Sequence, residues 1–88
     1  MPVICHFFGI DISIKFDDHN PPHFHAVQAG YKAVFDINTM AMIRGQLPPR
    51  SVGVILEWGR ENRELLLKAW EQIALNGLKM TIPPPKGA

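Results

Sequence analysis

What most narrows the folds open to this chain is a change of period at Gln46-Leu47-Pro48-Pro49. Before this point apolar and polar residues alternate; after it, apolar residues return at helical spacing. Ile10-Asp11-Ile12-Ser13-Ile14-Lys15-Phe16 alternates at every step, as a strand does when one face is buried and the other wet. Val3 to Phe7 are β-prone, and Phe8-Gly9 turns the chain between these two segments. Phe24 to Gln28 and Tyr31 to Ile37 read as two more strands joined by Ala29-Gly30, and a turn at Asn38-Thr39 sends Met40 to Arg44 back as a short last strand.

The proline pair ends strand pairing and suits a helix entry, where a missing N–H costs nothing. Beyond it, Ile55, Trp58, Leu65, Leu66, Ala69, Trp70 and Ile73 fall near one face of a helical wheel, with Asn62 as the polar intruder. Gly59 costs about 1 kcal/mol relative to alanine in a helix interior, so the pattern predicts one long helix bent there or two helices meeting near Asn62. Glu64 and Lys68 form a favourable pair one turn apart. Asn76-Gly77 stops the helix, Lys79 to Ile82 read as an edge strand, and Pro83-Pro84-Pro85 keep the end extended. The expected fold class is therefore α+β: an antiparallel β-meander of four to five strands, then one long bent helix or two helices packed on the sheet. Residues 1–82 would form a single domain, with residues 83–88 a proline-rich tail.

At 88 residues there is room for one modest core, and a hydrophobic fraction of 47% favours a folded domain over a disordered chain. A net charge of +1 with dispersed Lys and Arg argues against a continuous basic stripe. Cys5 is the only cysteine, which excludes an internal disulfide and favours a small buried residue. No segment approaches the roughly 20 apolar residues of a membrane span, and no basic-then-apolar leader opens the sequence, so no membrane role and a cytoplasmic location are expected. Met1-Pro2 would offer an N-terminal proline base after methionine removal, a weak idea because the first strand leads into another strand.

The chemistry concentrates in Phe16-Asp17-Asp18-His19-Asn20-Pro21-Pro22-His23-Phe24-His25-Ala26, which holds three of the four histidines. Asp17 to Pro22 form a loop stiffened by two prolines. From His23 the chain is extended, so His23, His25 and Val27 share one strand face while Phe24 and Ala26 share the other. Two imidazoles two residues apart can aim at a common point, as metal sites require. His19, Asp17 or Asp18 could complete a ligand set with His23 and His25, suited to a divalent transition metal such as zinc, iron or manganese. Without metal, the same residues suit acid–base work, with Asp17 or Asp18 orienting a histidine and Arg44 or Arg50 meeting a phosphate. The plain alternative is a turn in which Asp17, Asp18 and Asn20 cap the backbone and the histidines are ordinary strand residues. His6 reads as a packed or hydrogen-bonded strand residue, and Trp58 and Trp70 as core or interface anchors.

Met1-Pro2 leading to Phe7-Phe8-Gly9-Ile10, the Phe16 to His25 motif, Val34-Phe35-Asp36 and Leu56-Glu57-Trp58 together resemble a small, mostly bacterial family catalogued as a domain of unknown function, DUF4160. The resemblance covers nearly the whole chain, although Cys5 and the proline-rich tail match nothing in it. It implies a component of a toxin–antitoxin-like gene pair, encoded beside another small protein, and some relatives carry the label of transcriptional regulator. Three functions follow as expectations. The first is partner docking, with the neighbouring gene's product held by exposed parts of the Trp58 and Trp70 stripe. The second is an RNA-directed toxin or hydrolase using the histidine loop, and the third a small metal-binding protein. An apolar helix stripe on a small sheet also suits a homodimer.

Overall fold

Tight turns set the meander. In this computed structural model, which describes residues 3–88, the five strands β1 (Val3–Phe7), β2 (Ile10–Ser13), β3 (His23–Gln28), β4 (Tyr31–Asp36) and β5 (Met42–Gly45) pair antiparallel in chain order. Met1 and Pro2, and with them the proline-base idea, lie outside the described residues. Phe8 and Gly9 have φ of 50° and 76°, and Ala29 and Gly30 have φ of 46° and 89°. Paired positive φ values match the right-handed twist of the strands each turn joins, so both hairpins close in two residues.

Alternation then sorts the side chains. Phe7, Ile10, Ile12, Phe24, Ala26, Ala33 and Phe35 are buried on one face of the sheet. On the other face Ser13 stands opposite His25, His25 opposite Val34 and Val34 opposite Arg44. The helices α1 (Pro49–Glu61) and α2 (Arg63–Trp70) cover the first face. Trp58 packs on Phe7 and Phe24 at centroid distances of 5.1 Å and 5.9 Å, and Phe24 stacks on Phe35 at 5.2 Å. The fold is α+β, a five-stranded antiparallel sheet followed by two helices packed against it.

The helices part at Asn62, whose side-chain amide donates to the Trp58 carbonyl at 2.9 Å and competes with the backbone ladder. Leu65 departs from the expected stripe and is exposed, while Trp58 and Trp70 are both buried. The two tryptophans therefore offer no exposed surface as docking anchors, and Leu65 is the exposed member of their stripe.

Three further expectations change. The strand predicted over Ile10–Phe16 leaves the sheet after Ser13, because the chain turns at Asp17 (φ 60°) and the Asp17 N–H donates to the Ala74 carbonyl at 2.9 Å. The last strand begins at Met42 rather than Met40. The side chain of Asp36 accepts the Thr39 N–H, its carbonyl accepts the Met40 N–H, and Met40 turns inward at φ 55°. Lys79 to Ile82 form no strand: among the described residues a single backbone bond ties the segment to β1, from the Ile82 N–H to the Ile4 carbonyl at 2.9 Å. The next three residues are prolines and have no N–H to continue a ladder. The Pro83 carbonyl instead accepts the Trp58 indole N–H at 2.9 Å. A π-helical turn at Glu71–Leu75, which the periodicity did not predict, closes the helical segment.

Gly59 is a packing residue rather than a hinge. It is buried in α1, and a Cβ there would overlap the thioether of Met40, itself 2% exposed. Helix propensity alone would make Gly59→Ala stabilising by about 1 kcal/mol. Overpacking reverses the sign: the variant is expected to lose about 1–3 kcal/mol, read as a lower thermal midpoint by circular dichroism. In a Met40→Ala background, where the thioether is gone, the same Gly59→Ala change should cost less than it does in the wild type.

Candidate metal centre

Between β2 and β3 the loop folds back over the end of β3. Its start is held by the Asp17 amide on the π-helical turn, and its far end by the Ile37 N–H, which donates to the Pro22 carbonyl at 2.9 Å. The Asn20–Pro21 peptide bond is cis. These anchors bring Asp18 to the histidines. One carboxylate oxygen, Oδ1, accepts the His19 backbone N–H at 3.0 Å; the other, Oδ2, lies 2.9 Å from His23 Nε2 and 3.1 Å from His25 Nε2. The three side chains are 12–18% exposed, sheltered but reachable from solvent.

His23 is oriented from two sides. Its Nδ1 lies 2.7 Å from the Pro21 carbonyl, and its ring packs on the buried Trp70 indole at 5.1 Å between centroids. A carbonyl can only accept, so Nδ1 carries a proton. In a neutral His23 the Nε2 lone pair would then face Asp18 Oδ2 directly, acceptor against acceptor. The geometry thus calls for a positive centre between the two atoms, either a proton shared by His23 and Asp18 or a metal ion.

Burial pushes the His25 imidazole below its ordinary value, helped by the nearby positive charges of Lys15 and His23; its hydrogen bond to Asp18 only partly offsets them. Burial alone would raise the Asp18 carboxyl. The hydrogen bond from His25, the His19 amide and the charge and hydrogen bond of His23 outweigh it and hold Asp18 below the usual carboxylate range. The site therefore presents an ionised Asp18 and a His25 that resists protonation, which is the state a metal ligand needs.

One oxygen of Asp18 and one nitrogen each of His23 and His25 lie within 4.8 Å of one another. Ligand bonds of about 2.0–2.2 Å place neighbouring donors about 2.9–3.5 Å apart, which suits the 2.9 Å and 3.1 Å from Asp18 Oδ2 to the two imidazoles. The His23 Nδ1–H to carbonyl bond is the outer support that metal-bound histidines usually carry. Two histidines and one carboxylate suit zinc, iron or manganese and leave positions for water or substrate.

Of the residues singled out from the sequence, Asp18, His23 and His25 come together. Asp17 and His19 are exposed, and Asp17 reaches the π-helical turn through its backbone. Arg44 shares the face and groove of His25. Arg50 lies at the start of α1 and lines a different groove with Phe8, Gln28 and Ser51. His6 bonds Asp11 at 2.5 Å on the open face. The Pro21 carbonyl and the Trp70 support carry no local signal in the sequence, whereas Lys15 does carry one, its place on the polar face of an alternating segment.

The family model of DUF4160, a domain of unknown function, matches residues 9–71. The chain belongs to this family. No curated protein and no solved structure gives a match. The DUF4160 match includes Asp18, His23, His25 and Trp70, so the whole cluster and its aromatic support lie within the family's domain. No helix among the described residues is long and apolar enough to cross a membrane.

The two depressed pKa values fix the sign of the acid response. His25 has a folded-state value below 6.5, so its neutral form is favoured and stability falls as pH drops from 6.5 through that lower value. Asp18 has a folded-state value below 3.8, so its contribution is whole above 3.8 and is lost as pH falls further. Chelator-treated protein should lose stability in these two windows when urea midpoints are measured from pH 8 to pH 3. His25→Asn should flatten the upper loss and Asp18→Asn the lower.

Proposed function

We propose that the protein is a divalent-metal-binding member of DUF4160, with Asp18, His23 and His25 as its ligands. The observation that carries this reading is the acceptor-facing geometry of His23. Its Nδ1 proton is committed to the Pro21 carbonyl, while its Nε2 and that of His25 converge on one oxygen of Asp18. A metal ion of this kind supplies Lewis acidity toward a bound oxygen or phosphoryl group. The protein's part is to aim His23 through Pro21 and Trp70, to keep His25 neutral and to keep Asp18 ionised.

Metal binding to the folded state alone raises stability by about 2.7 kcal/mol at one hundred times the dissociation constant, or about 10–20 °C for a domain this small. The thermal midpoint should rise on adding Zn²⁺ or Mn²⁺ to chelator-treated protein and fall again with excess chelator. Asp18→Asn, His23→Ala and His25→Ala should each fold and lose the response. A wild-type midpoint indifferent to both metals would overturn the metal reading and leave Asp18, His23 and His25 as a metal-free acid–base arrangement. Because His23 packs on Trp70, indole fluorescence gives a second readout.

A second reading is that the chain works in a toxin–antitoxin-like gene pair by docking the small protein encoded beside it. It is favoured by exposed apolar residues at the edge of the same loop: Leu75 and Leu78 are each more than half exposed, and Phe16 lies against the Gly77 backbone between them. Leu75→Glu with Leu78→Glu should break co-purification with the neighbouring gene's product, and His23→Ala should spare it. Retained co-purification in the leucine variant would rule this face out.

A further inference from the structure

The open face of the sheet carries a second feature next to the cluster. A groove of about 340 Å³ runs across it, lined by Lys15, His25, Val27, Lys32, Val34 and Arg44. Register explains the grouping. Arg44 stands opposite Val34, and Val34 opposite His25, so Arg44 lies two strands from His25 on the same face, about 10 Å away. Lys32 is two residues from Val34 on β4 and therefore shares its face. Lys15 is near enough to lower the pKa of His25.

Among the described residues, none of these three cations is paired with a carboxylate. The ion pairs present are His6 with Asp11 and the two histidines with Asp18. The valines make an apolar floor, and the one ring lining the groove is the His25 imidazole, whose Nε2 is turned to Asp18. Arg44 is held there by a tight crossing: Gly45 has φ of 79°, and a Cβ at that position would overlap the Lys32 carbonyl. Three unpaired cations over an apolar floor, joined through His25 to a candidate metal centre, call for an anion that reaches that centre.

We infer that Lys15, Lys32 and Arg44 form an anion subsite for a phosphate ester, placing its phosphoryl group beside the Asp18–His23–His25 centre. This assignment of substrate class rests on the metal-binding reading above. Recognition is through charge on the phosphate rather than through the base, since the groove offers three cations and no ring besides the His25 imidazole, which is engaged with Asp18. A ribose-phosphate chain and a free nucleotide share this chemistry. Both fit a groove of this volume, which lies at the low end of the roughly 300–1,000 Å³ of small-molecule sites.

The test uses the full chain, with fluorescein-labelled single-stranded octauridylate as the probe and uridine 5′-monophosphate and inorganic phosphate as competitors. Anisotropy should report binding that weakens with salt at a log–log slope near −2, as three cationic contacts on a single strand imply. Arg44→Glu and Lys32→Glu, both at exposed positions, should each weaken binding by about ten-fold or more. Arg60→Glu, an equal charge change on exposed α1, should alter it by less than about two-fold. Competition by the mononucleotide assigns the subsite to a single phosphate ester; binding of the oligonucleotide without such competition assigns it to a chain of them. Equal losses in all three variants would reduce the effect to net charge and overturn the subsite, as would no binding to any probe at about 50 mM salt. The Zn²⁺ shift in thermal midpoint, measured on the same samples, separates the two ideas. It should survive in Arg44→Glu, and its absence from wild type would sink the metal centre while anisotropy judged the groove independently.

Discussion

A single carboxylate oxygen, Asp18 Oδ2, facing two imidazole nitrogens at 2.9 Å and 3.1 Å, organises the histidine loop and the candidate site it forms with β3. Removing Asp18 would leave His23 and His25 as two potential cations with ring centroids 5.2 Å apart and partly out of water. Like charges at that range repel, and the buried partner resists protonation further. The carboxylate therefore makes the histidine pair tolerable as well as useful. The loop depends on it in turn, because Asp18 carries the bonds that tie the loop's centre to β3.

The same strand serves core and site through its period of two. Phe24 and Ala26 are fully buried beneath the helices, and His23 and His25 project the other way. Because β3 is paired on both sides, by β2 and β4, the histidines stand on backbone held along two edges. Their spacing is thus a property of the sheet rather than of a flexible loop. Trp70 extends the coupling, since its indole is buried in the core and also packs on His23. A substitution at Trp70 would disturb stability and site together, whereas one at His25 acts mainly on the site.

Much of this was legible in the sequence because period is a backbone property. Alternation from Ile10 and the helical stripe from Ile55 to Ile73 gave the fold class, and alternation from His23 placed both imidazoles on one face. What escaped were interactions closed by residues far apart in the chain. Nothing local to Asp17 says that its amide will be taken by Ala74, so the choice between Asp17 and Asp18 as the site carboxylate could not be made. The glycine at 59 shows the same limit. Read along the helix it is a weak point, but across the core it is the space that Met40 fills. The π-helical turn at Glu71–Leu75 likewise has no periodic mark in the sequence.

The site's position on an open sheet face, rather than in a cleft, limits what it can do alone. Charges partly exposed to water interact through a high effective dielectric, so the pull of a cation on a phosphoryl oxygen is several-fold weaker there than in a dry cavity. Whatever covers the face would strengthen every interaction in it by excluding water. A phosphate ester seated over the valine floor would supply part of that cover. A partner protein on Phe16, Leu75 and Leu78, at the edge of the histidine loop, would supply more. The proposed docking and the proposed metal binding are therefore compatible with each other: a small sheet can carry a charged site on its surface, and its occupants can provide the low-dielectric surroundings that 88 residues do not.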